Sequence, residues 1–189
     1  MRIKPSKPRS RRGLGVLVHE YLGCGKLRLD RLLAFYRDMP SLQAAIQAGG
    51  LAQDIDYSTH GHQRRGVPPQ SLKLACEALA DEQVEVARSE SFADLMDLVR
   101  RTTKDVPRFG PLAVYDASLR IGAYVGVYPR RVYLHSGARD GCNAIPGIDC
   151  SGDTVDLDQL PPRILKLRAW EIEDFLCIYK DELKLLYRA

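Results

Sequence analysis

Three short stretches hold the residue types that could do chemistry. HGHQRR, residues 60–65, sets His60 and His62 beside Arg64 and Arg65 in a polar loop. Two adjacent guanidinium groups can grip a phosphate or carboxylate through paired N–H donors, and an HxH pair can supply two metal ligands from extended chain. PRRVYLHSGAR, residues 129–139, gathers Arg130, Arg131 and Arg139 around Tyr133 and His135. Its arginines could flank a cleft, and Tyr133, with Tyr128 just before it, offers a ring on which a base can stack. VPRFG, residues 106–110, brings Arg108, Phe109 and Gly110 to the mouth of a helix that starts at Pro111. Backbone N–H groups at such a mouth, with the positive end of the helix dipole, favour an anion. A phosphate held there positions DNA without reading its sequence. Each stretch also has a plain structural reading: a solvated charged loop, a buried Val132–Leu134 segment capped by arginines, and a corner between core helices.

Other chemistries find less support. HExxH is absent, so a metal-dependent hydrolase built on His60, His62 and His135 is the third-ranked reading, and no metal is assigned. GxSxG does not surround Ser136-Gly137, no Walker loop GxxxxGK[ST] occurs, and GLG at 13–15 and GCG at 23–25 lack the remaining glycine of GxGxxG. No cofactor is expected. The five cysteines are scattered and never form CxxC, which argues against a disulfide scaffold and a zinc ribbon. Cys76 and Cys177 fall on apolar helix faces as small core residues, and a reducing, cytoplasmic setting fits.

These residues must be positioned by helices. The 189 residues are 45% hydrophobic and 28% charged, enough to bury a core as one domain. No apolar run reaches the roughly 18–20 residues of a membrane span, and the basic start lacks the apolar stretch of a secretory signal. The net charge is +4, yet residues 1–13 carry six basic side chains and no acid, leaving 22 basic against 24 acidic residues in the body. The expectation is a flexible basic tail at 1–13 and a helical domain at 14–189, undivided or in two small lobes with a cleft between them. GLGVLVHEYLG is a buried segment or a first helix. DRLLAFYRD is a helix stopped by Pro40, and SLQAAIQAGG is capped by Ser41 and ends at two glycines. Residues 51–69 form a polar connection to a helix led by Pro68-Pro69. SFAD at 91–94 has the form of a capping box. Pro111 suits a first helical position, and Asp116 on that helix faces Arg120 at i+4 as an ordinary surface ion pair. RVYLHSGARDG is extended, a helix-like stretch lies around Cys142–Ile145, and 146–162 is a loop. Ile172, Phe175, Leu176, Tyr179, Leu183 and Leu186 step along one final helix. The chain therefore reads as mostly α, with little or no sheet.

VPRFGPLAV resembles the hairpin pattern LPGxGxxTA of the helix-hairpin-helix DNA glycosylase superfamily. Val106 and Pro107 stand at its Leu-Pro, and Gly110 at its second glycine. VYLHSGARDGCNAI is similar to the downstream segment VDTHVRRVANRLG, which carries the catalytic aspartate. The resemblance covers residues 90–145 and implies a helix-hairpin-helix element, DNA as partner, and base-excision chemistry. It departs at three places. Arg108 replaces the first glycine, His135 stands at the aspartate, and Leu112 stands where lyase-competent members carry lysine, so Schiff-base cleavage is not expected. A neutral imidazole offers no negative charge to an oxocarbenium-like centre. Three outcomes stay open: a relocated carboxylate, a relative that binds without cleaving, or a shared architecture alone. If the chain is an enzyme, His135 acts as base or orienting group with Asp116 as its carboxylate. The alternative class is a non-catalytic helical module that binds a protein or small anion through the same arginines.

Overall fold

The computed structural model describes residues 13–56, 58–59 and 66–188. His60, His62, Arg64, Arg65 and the basic segment 1–12 lie outside the described residues. The chain is mostly helical: α1 (Leu14–Gly23), α2 (Gly25–Arg37), α3 (Leu42–Gly50), α4 (Pro69–Ala80), α5 (Gln83–Arg88), α6 (Phe92–Thr102), α7 (Pro111–Val125), α8 (Ser136–Asn143), α9 (Ala169–Ile178) and α10 (Lys180–Tyr187). The strands β1 (Val132–Tyr133) and β2 (Thr154–Val155) pair antiparallel, Val132 opposite Val155. None of the described helices is long and apolar enough to cross a membrane.

Local chemistry sets several boundaries. The Ser91 hydroxyl accepts from the Asp94 N–H at 3.2 Å, and the Asp94 carboxylate accepts from the Ser91 N–H at 3.0 Å. This is the capping box expected from SFAD. Pro111 occupies the first turn of α7, and Gly126 at φ 81° ends it in the left-handed conformation that glycine tolerates best.

Gly49 and Gly50 end α3 as expected, but both are buried there. A Cβ on Gly50 would lie 2.6 Å from the Cys76 Cα, and one on Gly49 2.8 Å from the Ile121 side chain. The pair lets α3 approach α4 and α7 closely. Other boundaries differ from the sequence reading. The final helix is interrupted at Tyr179, dividing α9 from α10. Residues 136–143 form α8 directly after β1, and the 146–162 loop contributes β2. Cys142 and Cys150 are joined in a disulfide that ties α8 to this loop, a bridge that their eight-residue spacing did not signal. Cys76 and Cys177 are half-buried free thiols.

Two hydrophobic clusters form the core. One is built around Tyr36, Ile46, Leu79, Leu95, Val99 and Ile121 from α2–α7. The other centres on Tyr21, Leu134, Ile164, Ile172, Phe175 and Leu183 from α1, β1, α9, α10 and the chain between them. Helix α2 packs on α1, α7 and α9 and so touches both.

Candidate active site

The residues that could do chemistry together surround a cavity of about 130 Å³ between α2, α7 and α9. Helix α7 contributes Leu112, Asp116, Leu119 and Arg120, successive turns of one face. Helix α9 contributes Trp170, Glu173, Asp174 and Cys177, and α2 contributes Arg28 and a leucine wall. Asp54 reaches it from the connection after α3.

Burial governs the electrostatics here. Glu173 is 7% exposed, and its carboxyl is held well above the usual range, first by burial and then by the neighbouring Asp116 and Asp174. Asp174 is pushed up to about 6, mainly by burial; Arg28 and the Tyr21 hydroxyl oppose the rise, and Asp116 adds to it. The Tyr21 O–H donates to Asp174 at 3.0 Å, and the Arg28 guanidinium lies 3.3 Å from its other oxygen. Arg120 is only 3% exposed. Its Nη2 lies 3.9 Å from Asp116 Oδ2, and its Nε has no hydrogen-bond partner. The pair expected at the surface is therefore a buried guanidinium facing a cavity carboxylate. Trp170 Nε1 is likewise buried without a partner. Unsatisfied buried donors are rare in folded proteins because each forgoes its hydration.

The residues singled out from the sequence part company in space. Asp116 lines the cavity; His135 does not. His135 occupies the position before α8 without a side-chain capping bond, 8% exposed, with its ring 4.4 Å from that of Tyr115. Burial lowers its pKa to about 4; Asp116 and Asp153 oppose that shift, and Arg139 adds to it. A neutral, enclosed imidazole is a poor match for a proton-shuttling base at pH 7.

The 129–139 patch is largely occupied with holding the fold. Arg131 forms a two-pronged pair with Asp156, Nε to Oδ1 at 2.6 Å and Nη2 to Oδ2 at 2.7 Å. Arg139 donates to the Cys150 and Leu134 carbonyls at 2.6 and 3.0 Å. Tyr133 packs on Phe92 and Tyr115, and Tyr128 stacks on Trp170 at 4.7 Å. Arg130 remains on the exposed surface. Of the two readings open for this stretch, the buried segment held by arginines describes Arg131 and Arg139, whose guanidinium groups are engaged by carbonyls and carboxylates.

Between α6 and α7, Phe109 is buried in the core and its N–H donates to the Val106 carbonyl at 3.2 Å. Phe109 thus anchors the turn from inside rather than presenting a surface. Arg108 is exposed and takes φ 60°, a left-handed conformation uncommon outside glycine. Gly110 is exposed at φ −82°, where a Cβ would meet nothing, so internal packing does not demand glycine there. No side chain caps α7, so no cap satisfies the first-turn amides that a helix leaves without internal partners.

Glu173, Asp174, Trp170 and Arg28 were not singled out from sequence. Their signal was present in WEIED, where acids interrupt an otherwise apolar helix start, but it is masked by the stripe of Ile172, Phe175 and Leu176. Among the described residues, no group of three or more His, Cys, Asp or Glu side chains is arranged to hold a metal ion. Compared with known proteins, the chain matches no family model, no curated protein and no solved structure.

Proposed function

We propose that this protein binds DNA and hydrolyses a glycosidic bond in the cavity between α2, α7 and α9. The carrying observation is that Asp116, Glu173 and Asp174 share one cavity in which burial pushes the Glu173 carboxyl well above the usual range. Carboxyl groups pushed apart in acidity by their surroundings are the usual equipment for cleaving a glycosidic bond. Glu173 is the proton donor to the departing base. Asp116, steadied by Arg120, is the carboxylate that stabilises the oxocarbenium-like sugar. Water adds to the anomeric carbon as the carbon–nitrogen bond breaks, the base leaves with the proton from Glu173, and the surplus proton of the added water passes to the Glu173 carboxylate.

Several features support this reading beside the carboxyl cluster. Leu112, which stands where the resemblance places a lyase lysine, lines the same cavity with an apolar side chain, so simple hydrolysis is expected and strand cleavage is not. Arg108, Gly110 and the uncapped start of α7 lie next to Leu112 and suit a backbone phosphate. The relocated carboxylate that His135 leaves wanting is supplied by α7 and α9.

Duplex oligonucleotides, each carrying one altered base, test the reading through release of the base, scored as alkali-labile sites. The wild-type chain is expected to release at least one such base. Glu173→Gln is expected to slow release by roughly 10²–10⁴-fold, the usual worth of a general acid. Arg108→Glu is expected to weaken duplex binding and make it less salt-dependent. Absence of duplex affinity even at low salt would overturn the proposal.

A further inference from the structure

A second concavity, of about 450 Å³, adjoins the first and shares Leu33 and Trp170 with it. Its chemistry is the opposite. Along its α2 side run Lys26, Arg31 and Arg37, and Arg168 closes it from the start of α9, against a single lining acid, Asp30. Lys26 is already committed, its Nζ lying 2.7 Å from both Asp30 and Glu171. Arg31, Arg37 and Arg168 are exposed. Beside them Tyr128 stacks on Trp170, interplanar angle 26°, and the Arg168 guanidinium sits 5.3 Å from the Trp170 ring centroid.

We infer that this groove binds a segment of nucleic-acid strand, with phosphates on Arg31, Arg37 and Arg168 and a base against the Tyr128–Trp170 stack. Arg31 and Arg37 lie six residues apart on one helix, a rise of about 9 Å. Three exposed guanidinium groups strung along one groove suit a polyanion that repeats its charge, and a strand presents a phosphate roughly every 3.4 Å along a duplex axis. Aromatic rings among guanidinium groups favour bases over the carboxylates of an acidic peptide. The groove lies within the volume range of ligand sites, whereas the cavity beyond Trp170 is smaller than that range. A strand in the groove would therefore deliver only a small group past Trp170 to Asp116 and Glu173. The inference rests on the DNA reading for its choice of polyanion and does not require that any bond be cleaved.

Trp170 is the only tryptophan in the chain, so its fluorescence reports on the wall that the groove shares with the cavity. Titration of the full chain with a single-stranded oligonucleotide is expected to quench that fluorescence. Arg31→Glu combined with Arg37→Glu should abolish the quench, lower affinity at least tenfold, and flatten the log–log salt dependence by roughly 1.4, about 0.7 per lost contact. Both side chains are on the surface, and a wild-type circular dichroism spectrum verifies the fold; Arg168→Gln provides a second, independent variant. Oligonucleotide binding without any tryptophan change, or binding unaffected by these arginines, would overturn the groove while leaving DNA binding by the protein intact. An equal quench by polyglutamate would overturn the choice of nucleic acid. Quenching without base release would sustain the groove and remove the hydrolase.

Discussion

At residue scale, the buried ionisable groups pull stability in opposite directions with pH. Asp174 rises from 3.8 to about 6 on folding, so the folded chain keeps a proton that the unfolded chain gives up. Its contribution is complete below pH 3.8 and is lost as pH climbs through 6. Glu173 behaves in the same way over a window that begins near 4.5 and extends well higher. His135, lowered from 6.5 to about 4, has the reverse sign: its contribution is present above 6.5 and is lost as pH falls towards 4. Glu173→Gln is therefore predicted to raise the melting temperature at pH 8 and to leave it unchanged near pH 4, where the unfolded glutamate is protonated too. Each kcal/mol should read as roughly 2–4 °C for a chain of this size. His135→Phe is predicted to flatten the acid side of the stability profile between pH 4 and 6.5 and to leave base release within a few-fold of wild type. A large loss of release there would restore the imidazole to the chemistry.

At element scale, what could be read from sequence was what a single helix carries within itself. The reciprocal bonds of Ser91 and Asp94, the proline at the head of α7 and the apolar stripes of α4 and α9 are local, so spacing revealed them. Gly49 and Gly50 end α3 as spacing suggested, but the reason for glycine at both positions lies outside α3, in the closeness of Cys76 and Ile121. The measurable consequence is that Gly50→Ala drives a methyl into the α4 backbone and should cost about 1–3 kcal/mol, the usual range for overpacking. Urea denaturation should show a lower midpoint with an unchanged slope; an unchanged midpoint would contradict the packing described. The break at Tyr179 was equally hidden, since the apolar spacing continues through it.

At the scale of the whole molecule, the candidate site was legible only in part. Asp116 stood out because it follows the VPRFG turn on α7, but its partners Glu173, Asp174 and Arg28 come from α9 and α2, far away in sequence. Charge counting also averaged away the arrangement: a body near neutral overall separates an acidic cavity from a basic groove on either side of Trp170. The arginines of 129–139 looked available because sequence does not show which carbonyls will claim them. The account turns on one carboxyl being protonated at neutral pH beside Asp116. Carbon-detected NMR titration of the Glu173 side chain, assigned by its loss in Glu173→Gln, measures this directly. The account predicts a carboxyl signal that stays protonated at pH 7 and titrates well above the usual glutamate range. A midpoint near 4.5, with the group ionised at neutral pH, would contradict it.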